Sequence, residues 1–138
     1  IDLVDAEYSL RALVHKVPLY LVPALVLPHR IGTRQPHRFG PFTIIATNHS
    51  WLRRYYSARN AARLGLRYGL RFPFMFFFFI GWQIWQLVEV ALYERNKRTK
   101  LKGMLYGIWD GWLGRFGSIE NIRPRLIARI NSKPASSK

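Results

Sequence analysis

The chain of 138 residues contains no cysteine, which excludes a disulfide framework and any zinc or iron–sulfur site ligated by cysteine. Acids are also scarce: 7 Asp and Glu stand against 22 Lys and Arg, so the formal net charge is +15. Such a surplus indicates an anionic partner, which is nucleic acid, anionic lipid or a phosphorylated substrate. The apolar fraction of 49% excludes a wholly disordered chain.

Three of the seven acids, Asp2, Asp5 and Glu7, lie within the first seven residues, and the rest of the chain is basic. The chain opens with Ile rather than Met, and its first residues have the pattern of the inside of an element rather than of a targeting segment. We therefore expect the C-terminal part of a longer protein.

The pattern of residues 1–49 predicts one helix and two strands. Residues 2–15 combine apolar side chains at helical spacing with acids before bases, as the helix dipole favours. The Leu- and Val-rich residues 19–29 predict a buried strand with a kink at Pro23. A loop containing Gly, Pro and Arg follows, and residues 42–49 have the composition of a second strand.

From Ser50 onward the pattern is helical. Ser50 is expected to cap a helix over residues 51–70. Pro73 is tolerated in a first turn and is expected to open a second helix that continues to about residue 98. A third helix is expected over residues 101–117, where Gly103, Gly107, Gly111 and Gly114 would loosen it.

Residues 74–93 are the longest apolar run and contain one charge, Glu89. As a helix they would span about 30 Å, the thickness of a bilayer core. The polar side chains of this run and of the residues just after it lie on one side of the helix. This pattern favours a helix that lies in the membrane interface over a helix that crosses the membrane. A buried core helix is the third interpretation. The polar stripe comprises Gln83, Gln86, Glu89, Tyr93, Glu94 and Lys97.

Basic residues flank this run on both sides, whereas a simple span usually shows charge asymmetry. Such clusters are attracted to anionic cytoplasmic lipid. The sequence therefore predicts a helix that lies along the cytoplasmic leaflet. The flanking residues are Arg53, Arg54, Arg59, Arg63, Arg67 and Arg71 before the run, and Arg95, Lys97, Arg98, Lys100 and Lys102 after it.

Candidate chemical residues are few. Asp5 lies near the start of the first predicted helix, where the dipole favours an ionised carboxylate that could act as a general base, although acids there are more often caps. Glu7 and Arg11 are four residues apart and predict an ordinary ion pair. His29 lies at the end of the first predicted strand and could ligate a metal or contact a phosphate, although a lone His is more often structural.

Several short motifs occur in a fixed order. Together they resemble the second half of the GT-A domain of family 2 glycosyltransferases and, further along, segments that follow the catalytic core of rhamnosyltransferase-like members. The resemblance covers about residues 1–117. The motifs are Val-Asp-Ala-Glu-Tyr-Ser-Leu-Arg (4–11), Leu-Val-Pro (21–23), Pro-His-Arg-Ile-Gly (28–32), Leu-Arg-Arg-Tyr-Tyr-Ser-Ala-Arg-Asn (52–60) and Leu-Tyr-Gly-Ile-Trp-Asp-Gly-Trp-Leu-Gly-Arg-Phe-Gly (105–117).

This resemblance implies an inverting glycosyltransferase in which Asp5 is the catalytic base. It implies that His29 lies near the donor diphosphate and its divalent metal, Mg²⁺ or Mn²⁺, which is held mainly by a part of the enzyme upstream of this chain. The substrate contacts expected by resemblance are Glu7, Arg11, Arg54 and Tyr56. The chain departs from the pattern at Val4, where the first acid of the pair is expected, and at Lys16, where glycine is expected.

The implied donor is a nucleoside-diphosphate sugar, such as an activated rhamnose, and the implied acceptor is a lipid-linked or cell-surface glycan. Without the nucleotide-binding half, the chain is expected to be inactive alone. The implied fold class is α/β. Residues 1–49 would be the C-terminal part of a GT-A domain, residues 50–117 a helical region that associates with the membrane, and residues 118–138 a partly disordered tail.

The expected location is the cytoplasmic face of the plasma membrane, as a peripheral protein. Two alternatives remain. A basic nucleic-acid-binding module fits the charge and the interleaved aromatic residues, although residues 76–79 lie in a continuous apolar run rather than on a stacking platform, so we expect no nucleic-acid partner. A small integral membrane protein fits the apolar run.

Overall fold

A computed structural model of the chain describes residues 2–26, 35–39 and 42–131. Within these residues, helices dominate and the strands form one small sheet. The elements are α1 (Val4–Val14), β1 (Gln35–Phe39), β2 (Phe42–Ala46), α2 (Trp51–Tyr68), α3 (Pro73–Tyr93), α4 (Lys97–Trp112), α5 (Ile119–Ile122) and α6 (Pro124–Asn131).

The expected α/β fold class is wrong. The only sheet among the described residues is an antiparallel hairpin, in which Gln35 lies opposite Ala46 and Phe39 opposite Phe42. β1 falls within the predicted loop, and β2 covers only the first part of the second predicted strand. A two-stranded ribbon has no crossover connection, so it cannot form the layered sheet of an α/β fold.

The first predicted strand is also wrong. Residues 19–26 form turns and irregular backbone, and the side chains of Tyr20 and Leu21 are 86% and 90% exposed. Pro18 and Pro23 have no N–H group to give to a sheet, and no strand among the described residues pairs with this segment. Residues 27–29 lie outside the described residues.

The first predicted helix is confirmed as α1, with Asp5 and Glu7 in its first turn and Arg11 in its last. The helix ends at Val14, and Lys16 just beyond it adopts a left-handed backbone with φ 58°. Glycine adopts that conformation most easily. The glycine that the resemblance expects at this position would therefore suit the turn better than Lys16 does.

α2 is the central helix. Ser50 caps it as predicted, since its Oγ accepts a hydrogen bond of 3.2 Å from the backbone N–H of Arg53. The side of α2 toward α1 and α3 packs in one apolar cluster, and a second cluster joins α2 to α3 and α4. The first cluster contains Leu10, Ala61, Leu64, Tyr68 and Phe79, and the second Ala58, Val90 and Met104.

α3 begins at Pro73 as predicted but ends at Tyr93, several residues before the predicted end. Asn96 interrupts the helix with a left-handed backbone, φ 53°, and α4 begins directly after it. The contacts of the glycines of α4 show that this helix runs parallel to α2, whereas α3 runs antiparallel to both.

Three of the four glycines in the prediction lie within α4, and Gly114 lies just beyond the end of the helix with φ 66°. Gly103, Gly107 and Gly111 are spaced by four residues and bring α4 against the backbone of α2. A Cβ atom at Gly107 would lie 2.3 Å from the carbonyl oxygen of Tyr55, and one at Gly111 would lie 2.4 Å from that of Arg59. The two helices therefore approach more closely than any side chain at these positions would allow.

Beyond α4, the short helices α5 and α6 occupy part of the segment predicted to be a partly disordered tail. This segment is fixed to α2. Arg59 Nη1 donates to the carbonyl oxygen of Gly117 at 2.9 Å, and Ile119 is fully buried. Residues 132–138 lie outside the described residues.

Candidate functional site

A group of charged side chains is buried where α2, α3 and α4 meet the end of β2. Arg54 is 3% exposed; its Nη2 lies 3.1 Å from Glu89 Oε1 and donates to Glu94 Oε1, and its Nη1 donates to Gln86 Oε1 at 2.9 Å. Lys100 Nζ donates to Glu94 Oε2 at 2.8 Å. Two cations and two carboxylates balance, so this set, here called the Arg54 cluster, is formally neutral.

The Arg54 cluster also holds the chain that leaves the hairpin. The backbone N–H of Thr47 donates to Glu89 Oε1 at 2.9 Å, and Lys100 Nζ donates to Asn48 Oδ1 at 2.6 Å. Burial raises the pKa of the Glu94 carboxyl, but hydrogen bonds from Arg54 and Lys100 outweigh burial and hold that pKa below its usual 4.5. Glu94 is therefore ionised at neutral pH.

A polar pocket of about 410 Å³ opens beside the Arg54 cluster. At its edge, Arg53 Nε and Nη2 form a bidentate ion pair with the Asp2 carboxylate at 2.9–3.2 Å. Burial, and then the charges of Arg53 and Arg54, hold the pKa of His49 below its usual 6.5, so its imidazole is neutral at pH 7. The lining residues are Asp2, Leu3, Thr47, His49, Arg53, Arg54, Ser57, Trp82, Trp85, Gln86 and Glu89.

α3 turns its polar side inward and its apolar side outward. Gln83, Gln86 and Glu89 are 8%, 5% and 6% exposed, whereas the large apolar side chains on the opposite side are open to the surroundings. Exposed apolar side chains of α2, α3 and α4 line a groove of about 590 Å³. We call the surface formed by these side chains the apolar face. It includes Leu66, Ile80, Ile84, Leu105, Trp109 and Trp112.

Among the described residues, α3 is the one helix that has the length and hydropathy of a membrane span. It has 21 residues, and its most apolar window has a mean hydropathy of 1.5. Core helices of globular proteins can match both values. In α3, however, the described residues bury only 28% of that window.

The predicted catalytic base and its neighbours lie on α1. Asp5 is exposed, and its carboxylate forms no ion pair or hydrogen bond with another described residue. The predicted Glu7–Arg11 ion pair is confirmed at 3.3 Å, and Glu7 also accepts a hydrogen bond from the hydroxyl of Tyr68 at 3.3 Å. Glu7 therefore fixes α1 to α2, and Asp5 keeps a carboxylate that is open to a ligand.

The structure does not bring the predicted site residues together. Arg54, an expected substrate contact, is buried in its cluster. Tyr56 is two residues further along and faces another side of α2, where its hydroxyl accepts a hydrogen bond from the backbone N–H of Ile119 at 3.0 Å. Among the predicted membrane contacts, Arg54, Arg59 and Lys100 are buried. His29 lies outside the described residues.

The described side chains do not form a metal site by themselves, since no three His, Asp or Glu residues in the described ranges are grouped closely enough. The predicted Mg²⁺ or Mn²⁺ site depended on His29 and on residues upstream of this chain. The chemistry that the described residues offer is proton transfer at Asp5 and hydrogen bonding in the polar pocket.

Sequence reasoning missed a second buried charge, Asp110. It is fully buried, and it accepts a hydrogen bond from the Tyr55 hydroxyl at 2.9 Å and two from the Arg123 guanidinium at 2.7 Å each. Burial, followed by the hydrogen bond and charge of Asp110, raises the pKa of Tyr55 to about 12. The sequence does contain a signal for this group, since Asp110 is a lone carboxylate within an apolar helical stretch. A carboxylate that is buried in such a stretch must have cationic or hydrogen-bonding partners.

The site thus has three parts on one helical platform: the exposed Asp5, the polar pocket and the apolar face. α2 contacts all three, because it packs against α1, lines the polar pocket and forms the floor of the apolar face. No family model, no curated protein and no solved structure matches the chain.

Proposed function

We propose that this chain is the membrane-associated C-terminal part of an inverting family 2 glycosyltransferase and supplies its catalytic base. The enzyme moves a sugar, such as the deoxyhexose rhamnose, from a nucleoside-diphosphate donor to a lipid-linked or cell-surface glycan. The order of the motifs supports the enzyme class. The observation that carries the proposal is the docking of α1, which holds Asp5, onto the platform that exposes the apolar face.

That docking uses both apolar and polar contacts. Leu10 of α1 packs with Leu64 of α2, and the Asp2 carboxylate just before α1 is bound by Arg53. Asn60 Nδ2 donates to the carbonyl oxygen of Asp2 at 2.9 Å. These contacts fix the position of Asp5 relative to α2 and therefore relative to the apolar face. An acceptor anchored in lipid would meet the base at a constant height above the bilayer.

The apolar face is proposed to lie against membrane lipid. Its occupant is argued from charge, because exposed basic residues follow α3 directly at Arg95, Lys97 and Arg98 and would contact anionic lipid phosphates. We place α3 along the leaflet rather than across it. A spanning α3 would carry the Arg-rich α2 into the hydrocarbon, where each charge costs about 3 kcal/mol on insertion scales.

The proposed reaction is a single displacement. The Asp5 carboxylate removes the proton of an acceptor hydroxyl as that oxygen attacks the anomeric carbon of the donor. The new bond joins the acceptor oxygen to the anomeric carbon, and the bond from that carbon to the diphosphate breaks. The nucleoside diphosphate leaves, the proton stays on Asp5, and the configuration at the anomeric carbon inverts.

The test is Asp5→Asn in the complete enzyme. Turnover should fall about 10²–10⁴-fold, while donor affinity stays, because a general base acts in the transition state. Glu120→Gln is the control: it removes an exposed carboxylate from α5, which has no part in the proposed reaction, so turnover should stay close to that of the parent enzyme. Near-normal turnover of the Asp5 variant would overturn the assignment.

A further inference from the structure

The polar pocket has the size and the aromatic wall of a small-ligand site. Its volume of about 410 Å³ lies within the range of about 300–1,000 Å³ found for such sites. Trp82 and Trp85 are three residues apart on α3 and line the same wall. Trp85 is 49% exposed, so a ligand can reach its indole without displacing protein.

Several polar groups of this pocket have unused hydrogen-bonding capacity. The Nε of Arg54 is buried without a partner among the described residues, and buried donors are rarely left so. The ring nitrogens of His49, Trp82 and Trp85 form no hydrogen bond with another residue in the described part of the chain. Since His49 is neutral, its imidazole can donate one hydrogen bond and accept another.

The charges around the pocket favour an uncharged ligand over an anion. The charge of Arg53 is balanced by Asp2, and that of Arg54 by Glu89 and Glu94. Two carboxylates, Asp2 and Glu89, belong to the lining itself and would repel a phosphate. A ring with several hydroxyl groups fits better, because its hydroxyls can accept from an indole N–H or from His49 and donate to the partly exposed Asp2 carboxylate.

We propose that the polar pocket binds one uncharged sugar ring of the glycan acceptor. Trp85 covers the C–H face of the ring, and His49 hydrogen-bonds one of its hydroxyl groups. This assignment rests on the proposed glycosyltransferase function and adds to it a place for the acceptor, on the same platform as Asp5.

The experiment titrates the full chain in detergent with methyl α-rhamnoside and methyl α-glucoside, and with inorganic phosphate as the anionic probe, by saturation-transfer NMR. At least one glycoside should bind saturably. Trp85→Ala and His49→Ala should each weaken that binding about tenfold, the expected loss for one good contact. Trp82 is not a useful position, because it packs against the core between α1, α2 and α3 and its loss would disturb the fold.

Two controls match these variants. Trp112→Ala removes a tryptophan of the apolar face, and His15→Ala removes an exposed histidine at the end of α1. Both should leave glycoside binding unchanged. The proposal fails if neither glycoside binds, if phosphate displaces the bound glycoside, or if all four variants bind like the parent chain.

The outcome separates the pocket from the proposed function. If the Asp5 variant loses turnover but the chain binds no glycoside, the proposed enzyme function is supported and the proposed acceptor site is refuted. Glycoside binding that depends on Trp85 and His49, with normal turnover of the Asp5 variant, would leave a sugar site and remove the catalytic role of Asp5.

Discussion

α2 makes two contacts of opposite kinds. Toward α4 it meets glycines, so backbone lies against backbone at Tyr55 and Arg59. Toward α3 it meets polar side chains, since Arg54 pairs with Glu89 and the Ala58 carbonyl accepts a hydrogen bond from Gln83 at 2.7 Å. The close approach to α4 depends on the small size of glycine, whereas the contact with α3 includes buried hydrogen bonds beside apolar residues such as Phe79 and Val90.

Both contacts leave large apolar side chains on the outside of the helices. In water, helices associate chiefly by burying such side chains, whereas in lipid they associate by close packing at small residues and by polar contacts. The two contacts of α2 thus leave the large apolar side chains free for the apolar face, which is the surface proposed to contact lipid.

The polar contact is expected to be the more sensitive to a single change. Glu94→Gln leaves Arg54 and Lys100 with one carboxylate, Glu89, in a buried site. Breaking a buried ion pair in this way costs about 3–5 kcal/mol of unfolding free energy. Chemical unfolding of the full chain in detergent measures this loss of unfolding free energy. The control is Glu120→Gln on the exposed side of α5, which should change the unfolding free energy by close to zero.

The same contact makes the stability depend on pH. The pKa of Glu94 is lower in the folded chain than its usual 4.5, so its contribution is fully present above pH 4.5 and is lost as the pH falls through the folded-state pKa. The parent chain should therefore lose stability in acid, and Glu94→Gln should lose less. Parallel acid unfolding curves for the two chains would show that Glu94 does not carry this dependence.

The backbone contact between α2 and α4 is the next most sensitive. Gly107→Ala places a Cβ 2.3 Å from the Tyr55 carbonyl oxygen, so the helices must separate, and overpacking of this kind costs about 1–3 kcal/mol. Gly81→Ala on α3 is the matched control, because no atom lies within 4 Å of a Cβ there. It should be neutral or stabilise by up to about 1 kcal/mol. Equal losses at the two glycines would refute close packing.

The comparison also shows which features the sequence predicts. α1, the Ser50 cap and the start of α3 at Pro73 are correct, because periodicity and capping depend on neighbours in sequence. The strand predicted over residues 19–29 is not observed in its described part, because a strand needs a partner that composition does not provide.

The candidate site was harder to predict. The sequence places Asp5 in a first helical turn, as observed, but it predicts Arg54 as a membrane or substrate contact rather than as a buried residue. Its burial depends on Glu89 and Glu94, 35 and 40 residues further along, and no local pattern indicates such pairing. The spacing of Gly103, Gly107 and Gly111 was a usable signal, because small residues four apart mark close helix packing.

The smallest expected effect concerns the orientation of α3 at the membrane. Each basic residue beside α3 is expected to add only a small binding free energy, and the measurement tests whether the contact between α2 and α3 lies outside the lipid. If the polar contact with α2 stays out of the hydrocarbon, α3 lies flat and its basic border touches lipid phosphates at about 1 kcal/mol per charge. Arg95→Gln with Arg98→Gln should then weaken binding of the full chain to anionic vesicles about thirtyfold. Lys16→Gln with Arg38→Gln removes two exposed charges elsewhere and should change it little.

Membrane topology gives the independent measurement. A flat α3 leaves both of its flanks, near Arg71 and Lys97, open to protease from the cytoplasmic side, and high salt or carbonate should loosen the protein because phosphate contacts are screened. A spanning α3 would resist carbonate and place the two flanks on opposite sides. That result would place the ion pairs of Arg54 within the bilayer. The polar contact between α2 and α3 would then be a contact inside the lipid and not one beside it.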